Sequence, residues 1–187
     1  MTDRPEPPPR PMSDAFVKTR GLLLEETSLM IEKATPVGGW GAEVPKLDEA
    51  VLATLGFGGD ELRGSLLLVA SPAVWRRVGL AGLTEETLVV AQLCDMAGEL
   101  CNLIVGRFRK RLLRLGIDLG CGVPTSAYGQ FTVPRLPAAS ALYVGAHELA
   151  TPAGPLFMRT DVLFRDAFVF PTATAMGVEP AETDLFF

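Results

Sequence analysis

The longest helix predicted for this chain lies within residues 84–116, TEETLVVAQLCDMAGELCNLIVGRFRKRLLRLG. The stretch contains no proline, and Thr84 is a candidate N-cap followed by two glutamates that suit the positive end of a helix dipole. Gly116 is placed to end the helix as its C-terminal cap. Apolar residues recur at spacings of three and four, which predicts one buried face. These apolar positions are Val90, Leu93, Ala97, Leu100, Ile104, Phe108 and Leu112.

A polar stripe follows the other face of the same predicted helix. Its members are separated by three, four and three residues, so they stack along one side. They are Gln92, Asp95, Glu99 and Asn102. Gly98 and Gly106 lie beside the stripe, and each costs about 1 kcal/mol relative to alanine in a helix interior. The two glycines indicate that something approaches the helix backbone closely at this face.

Three interpretations of the stripe remain open on the pattern alone. A polar stripe on an amphipathic helix is ordinarily a solvated face. Asp95 and Glu99 stand four residues apart and could converge on a divalent cation, but two ligands on one helix are too few for a metal site. The third interpretation is a contact face for another molecule.

Upstream of this helix, the sequence predicts a first helix, a loop, a hairpin and a short helix. Gly58-Gly59-Asp60 supplies the hairpin turn, and Ser71-Pro72 supplies the cap and first position of the short helix. The predicted bounds are a helix from Ser13 or Asp14 to about Lys33, a loop over Thr35–Trp40, strands over Glu49–Gly56 and Gly64–Ala70, and a helix ending at about Val78.

Downstream of the long helix the sequence predicts further strands punctuated by glycine and proline. They cover Ile117–Cys121, Tyr128–Val133, Ala141–Glu148 and Leu156–Phe164. Runs of helices and strands that are segregated in this way predict an α+β fold. We therefore expect a largely antiparallel sheet with two long helices packed on one face.

The chain of 187 residues is long enough for one domain with a sizeable core, and 48% of its residues are hydrophobic. Residues 1–12 contain five prolines among charged residues and are predicted to be a disordered leader. Residues 13–187 are predicted to form a single domain, with an acidic C-terminal tail from about residue 178.

Composition also bears on location and on partners. The formal net charge of −5 argues against general nucleic-acid binding, because the phosphate backbone favours a basic surface. No apolar run approaches the roughly 20 residues of a membrane span, and the leader has no apolar core typical of a secretory signal. The sequence therefore predicts a cytoplasmic protein without a membrane span. The basic residues between Arg107 and Arg114 either complement the helix dipole or form a docking patch.

Cysteine and histidine give no sign of metal or redox chemistry. Cys94 and Cys101 are seven residues apart on one predicted helix, which puts their Cα atoms roughly 10 Å apart, too far for a disulfide. Together with Cys121 they are expected to be buried, reduced thiols. The single histidine, His147, is expected to be a structural or surface residue. No metal site is predicted.

The polar stripe carries a resemblance to a known family. The segment Asp95-Met-Ala-Gly-Glu99-Leu-Cys-Asn102, followed by Leu-Ile-Val-Gly106, resembles the signature of the CheC/CheX/FliY chemotaxis phosphatases. In that signature a proline follows the Glu-x-x-Asn pair after about twenty residues, and here 21 residues separate Asn102 from Pro124. The order of hairpin, short helix, motif helix and strands is similar too, over roughly residues 44–164.

The resemblance implies a CheC-like fold and an activity: hydrolysis of phospho-aspartate on a CheY-like response-regulator receiver in two-component signalling. Asn102 would orient the attacking water, and Glu99 would pair with the active-site lysine of the receiver. The receiver would bring its own Mg²⁺, so this chain would need no cofactor. Gln92, Asp95, Gly98, Gly106 and Pro124 would contact the partner.

The same resemblance leaves several features open. Some members have serine or threonine where Asp95 stands, and the extra carboxylate would either weaken docking by repulsion or bind a donor on the partner. The segment Glu25–Leu29 supplies no second Glu-x-x-Asn, which favours a single site as in CheX. CheX-like members imply a homodimer formed through the sheet. The alternative function is a binding module of the same fold that recognises a receiver without accelerating hydrolysis.

Overall fold

The computed structural model describes residues 13–31, 34–38, 44–78, 88–131, 142–166 and 168–171. Within these ranges the chain forms three helices and seven strands. In chain order they are α1 (Asp14–Met30), β1 (Thr35–Val37), β2 (Leu47–Gly58), β3 (Leu62–Ala70), α2 (Pro72–Val78), α3 (Val90–Arg114), β4 (Gly120–Cys121), β5 (Thr125–Phe131), β6 (Tyr143–Thr151) and β7 (Gly154–Phe164). The predicted leader and acidic tail lie outside the described residues.

The strands form one antiparallel sheet in the order β1-β6-β7-β3-β2-β4, with β5 also paired to β2. Two hairpins, β2–β3 and β6–β7, build its centre, because short turns bring consecutive strands side by side. The α+β prediction with a largely antiparallel sheet is therefore confirmed.

One face of the sheet packs against the helices. Alternate residues of β2 enter the main core, which also contains Phe16 and Leu23 of α1 and the buried side of α3. Phe57 of β2 contacts Phe108 of α3 edge to face, with ring centroids 5.4 Å apart. The two long helices were predicted; α2 adds Trp75, which is fully buried and donates its indole N–H to the Val51 carbonyl at 2.9 Å.

The apolar stripe predicted for α3 is its buried side. Six of the seven predicted positions are buried, and Val90 at the first turn is half-buried. The helix begins at Val90. The prediction that it starts at Thr84 is wrong at least over Leu88 and Val89, which are not helical. Thr84 itself lies outside the described residues. Gly116 has φ of +77°, and it ends the helix as predicted because this left-handed conformation suits glycine.

The first helix also follows the prediction at its start. The Ser13 hydroxyl accepts a hydrogen bond from the Phe16 N–H at 3.2 Å, which is the expected N-cap contact. The helix ends at Met30 and Ile31 is not helical, while the predicted end at about Lys33 lies outside the described residues. The predicted loop over Thr35–Trp40 is wrong in its first half, because Thr35–Val37 pairs with β6 as an edge strand. Local proline and glycine disfavour a strand, but an edge position tolerates proline.

All four downstream strands differ from their predicted bounds: β6 ends at Thr151 rather than Glu148, and β7 begins at Gly154 rather than Leu156. The strand predicted over Ile117–Cys121 shrinks to Gly120–Cys121, since Ile117 and Leu119 are buried in the core without ladder pairing. The strand predicted over Tyr128–Val133 starts earlier, at Thr125, and its predicted end at Val133 lies outside the described residues. Ser71 caps α2 as predicted, with its hydroxyl 3.4 Å from the Val74 nitrogen.

The thiols differ from one another in their surroundings. Burial raises the pKa of Cys101 to about 12, so this thiol stays protonated and unreactive at neutral pH. Burial and then the charge of Asp95 raise the pKa of Cys94. Cys121 is exposed, so the expectation that all three thiols are buried is wrong.

His147 is buried in β6, and burial followed by the Arg20 charge lowers its pKa.

Candidate functional site

The outward side of α3 carries the four predicted polar residues, and each is exposed: Gln92, Asp95, Glu99 and Asn102. Glu99 and Asn102 are one turn apart, so their Cβ atoms are about 5–6 Å from each other. Within the described part of the chain neither side chain forms a hydrogen bond or an ion pair. A carboxylate and an amide therefore stand side by side on a rigid helix, available to another molecule.

Gly98 lies directly under the segment that joins β4 to β5. A Cβ built on Gly98 would lie 3.7 Å from the Pro124 Cβ and 3.9 Å from the Ser126 Oγ. The fold thus brings Pro124, distant in sequence, against the turn that carries Glu99. The close approach expected at Gly98 is made by the chain itself, at ordinary van der Waals distances.

The β4–β5 connection is held at both ends. The Gly122 N–H donates to the Gly56 carbonyl at 2.9 Å, and Cys121 pairs with Phe57 of β2. After Pro124, Thr125 pairs with Thr54 of β2. Pro124 is therefore a fixed wall beside the polar stripe.

Gly106 lies four residues beyond Asn102, on the same side of α3. A Cβ built there would meet nothing within 4 Å, so no described part of the chain approaches it. The space above this glycine is open to a molecule that docks on the stripe.

Gln92 has a structural contact at the start of the helix. Its Oε1 accepts a hydrogen bond from the Val89 N–H at 3.0 Å, which satisfies one of the free donors of the first turn. A partner that used Gln92 would compete with this cap. Asp95, Glu99 and Asn102 lie further along the helix and make no such contact within the described residues.

The basic residues at the end of α3 have a role that the sequence did not predict. The Arg107 Nε donates to the Glu26 Oε2 at 2.6 Å, and the Arg111 Nη1 donates to Glu25 at 2.7 Å and to Glu26 at 3.1 Å. Arg107 and Arg111 tie α3 to α1, a role that neither predicted alternative included, and Arg111 also lies in the last turn of α3. The only sequence signal was the acidic pair Glu25-Glu26, whose partners are set by helix packing.

The described residues give no sign of a metal site or a membrane span, and their groove lies away from α3. They contain no group of three or more histidine, cysteine, aspartate or glutamate residues that could hold a metal ion. None of the described helices combines the length and apolar character needed to cross a bilayer. A groove of about 660 Å³, lined by Gly56, Arg63, Ser65 and Asp161 among others, is formed without any residue of α3.

This architecture defines a CheC-like α+β protein. The CheC-like protein from Shewanella sp. PV-4 has a TM-score of 0.63 and 18% identity, covering 81% of this chain and 99% of that one. The chemotaxis protein CheX from Desulfovibrio desulfuricans has a TM-score of 0.59 and 20% identity, with 76% and 97% covered. The structure of a CheX-CheY-BeF₃-Mg²⁺ complex from Borrelia burgdorferi has a TM-score of 0.54 and 16% identity, with 79% and 98% covered.

A family match is also found in the sequence itself. Residues 51–141 match the family described as chemotaxis phosphatase CheX, and this segment runs from within β2 to beyond β5 and includes the whole of α3. No curated protein matches the chain by sequence. Over this segment the chain matches the CheX family, which confirms the resemblance to the CheC/CheX/FliY proteins.

Proposed function

We propose that this chain is a phosphatase that accelerates hydrolysis of phospho-aspartate on a CheY-like receiver domain. The observation that carries the proposal is the exposed pair Glu99 and Asn102 on the helix that lies within the CheX family match. A chemotaxis phosphatase family and a fold shared with a CheX in complex with CheY both support a receiver as the partner.

Asn102 is assigned the water-orienting role. A primary amide both accepts and donates hydrogen bonds, so it can hold a water in line with the phosphorus without changing charge. Because the attacking water is already positioned, less entropy is lost on reaching the transition state. The acyl phosphate is already activated on the receiver by its Mg²⁺ and lysine, so this chain supplies neither a nucleophile nor a cofactor.

Glu99 is assigned the docking role. Its carboxylate would pair with the active-site lysine of the receiver and set the register of α3 in that site. A protruding helix needs no cleft of its own, because the receiver provides the concave side. The exposure of both side chains and the wall formed by Pro124 on one side of them fit insertion of a single helix.

The direct test measures phosphate release from CheY-type receivers of the source organism, phosphorylated with acetyl phosphate, with and without this protein. Acceleration is expected for at least one receiver. Glu99→Ala should weaken binding to the BeF₃-activated receiver by at least about tenfold, because it leaves the buried lysine of the receiver unpaired. Glu49→Ala, at an exposed position of β2, is the matched control and should leave affinity unchanged.

Two outcomes would contradict parts of this proposal. Unchanged affinity in Glu99→Ala would remove the docking role of that carboxylate. A native protein that binds the receiver but leaves the lifetime of its phosphate unchanged would instead be a binding module of the same fold.

Gly106 provides a prediction that separates stability from docking. Gly106→Ala should raise the free energy of unfolding by up to about 1 kcal/mol, because alanine favours helix and meets no described atom. Gly106→Gln keeps a good helix former but fills the open space beside Asn102, so we expect a several-fold rise in the KM for phosphorylated receiver. Thermal unfolding and steady-state kinetics measure the two effects. An unchanged KM in Gly106→Gln would place this glycine outside the docking surface.

The same proposal includes the setting of the reaction. A phosphorylated receiver is a component of two-component signalling, and we propose the cytoplasm as the location that this chain shares with its partner. A homodimer formed through the sheet is also proposed, with sedimentation equilibrium as its measurement.

A further inference from the structure

Val123 is an apolar residue that the fold holds in solvent. Its exposed fraction is 85%, the highest among the large hydrophobic residues that the structure describes. It stands between two fixed points, since Gly122 is hydrogen-bonded to Gly56 and Pro124 packs over Gly98. The Val123 side chain therefore projects from a segment held at both ends.

The position of Val123 relative to the motif helix follows from the same contacts. A Cβ on Gly98 would lie 3.7 Å from the Pro124 Cβ. With one further residue of chain, the Cα of Val123 is within about 11 Å of the Cα of Gly98, which is next to Glu99. We refer to Val123 and Pro124 together as the apolar shelf.

We propose that the apolar shelf is a docking surface for the receiver, contacting apolar side chains that rim its phosphorylation site. The inference rests on the proposed function, since it takes the receiver as the molecule that covers Glu99 and Asn102. The family resemblance already implies a partner contact at Pro124, and the inference adds Val123 as a specificity-determining contact.

The size of a protein interface argues for this occupant. A stable interface covers about 800 Å² on each partner, which corresponds to a patch with a radius of roughly 16 Å. A receiver centred on Glu99 and Asn102 would therefore also cover Val123. The shelf cannot move aside when the receiver contacts Glu99 and Asn102, because both ends of its segment are fixed to β2.

The chemistry of the two surfaces supports the same conclusion. The stripe presents Asp95 and Glu99, and the receiver presents a phosphorylated, acidic site, so repulsion offsets part of the attraction between Glu99 and the receiver lysine. Interfaces obtain most of their affinity from a few well-packed apolar or aromatic contacts beside such polar groups. The shelf offers exposed apolar surface, chiefly that of Val123, which the fold fixes beside the polar pair.

Val123→Asn is the variant that tests the shelf, because it introduces polarity without charge at a fully solvated site. We expect the KM for phosphorylated receiver and the Kd for BeF₃-activated receiver to rise about tenfold, with kcat within about twofold of native. Val123→Leu should retain native affinity. Val169→Asn is the matched control, since Val169 is 81% exposed and follows Phe168, which stacks on Phe164 of β7, two strands away from β2.

Each outcome bears on the shelf and on the phosphatase separately. Native affinity in Val123→Asn, in a protein that accelerates hydrolysis, overturns the shelf and leaves the phosphatase standing. Weakened binding in Val123→Asn, in a protein that does not accelerate hydrolysis, supports the shelf and overturns the phosphatase. A native protein that binds none of the receivers overturns both.

Discussion

Asn102→Ala is expected to reduce the rate constant for receiver dephosphorylation at saturating protein by about 100-fold or more. The variant loses the amide that holds water in line but keeps Glu99 and the apolar shelf. The affinity for BeF₃-activated receiver should therefore stay within about threefold of native. A loss in kcat without a loss in binding is the pattern of an interaction made in the transition state.

The substitution Asn102→Ala should leave the folding of the protein undisturbed. Asn102 is exposed and makes no hydrogen bond to any other described residue, and alanine favours helix more than asparagine does. The melting temperature should therefore be unchanged or slightly higher. Asn102→Asp is the second variant, because it keeps the shape, cannot donate a hydrogen bond and adds negative charge near the phosphoryl group.

Retained activity in Asn102→Ala would remove the water-orienting role from this residue. Equal losses of affinity and rate would mean that Asn102 only docks. A rate loss in Asn102→Asp that exceeds the loss in Asn102→Ala is expected from repulsion between the new carboxylate and the phosphoryl oxygens.

Those features of α3 that depend on local periodicity were predictable from sequence. Spacings of three and four decide which side of a helix faces the core, so Leu93, Ile104 and Phe108 are buried while Glu99 and Asn102 are exposed. The hairpin and the cap of α2 were also predictable, because turn and cap residues act through contacts within a few positions of the chain.

Features that depend on distant pairing were not predictable in this way. The local sequence of Thr35–Val37 predicts a loop, and the segment is a strand only because it pairs with the edge of β6. The role of Pro124 came from the family resemblance, and its contact with Gly98 joins segments more than twenty residues apart. The exposure of Val123 could not be inferred, because a valine between glycine and proline gives no periodic pattern.

The buried carboxylate of Glu26 illustrates the same limit. On the sequence it is one of two adjacent acidic residues in an amphipathic helix, with nothing to separate it from Glu25. In the fold Glu26 is 3% exposed and contacts both Arg107 and Arg111, whereas the Glu25 side chain is 61% exposed. Packing of α1 on α3 decides which of the two is a structural residue.

We expect Glu26→Ala to lower the free energy of unfolding by about 2 kcal/mol. Removing one partner of a fully buried ion pair costs about 3–5 kcal/mol, because the other charge is left without compensation. The loss is smaller here, since the Arg107 and Arg111 side chains are 51% and 37% exposed and can recover water. For a chain of this length the melting temperature should fall by about 4–8 °C.

Glu25→Ala is the matched control for this variant, because it removes the neighbouring carboxylate from the same helix and the same Arg111. Its exposed pair should contribute less than about 0.5 kcal/mol. A double-mutant cycle of Glu26→Ala with Arg107→Ala isolates the pairwise energy and should give a favourable coupling of about 1 kcal/mol. Equal destabilisation by Glu25→Ala and Glu26→Ala, with no coupling to Arg107, would mean that the two helices are joined by their apolar contacts alone.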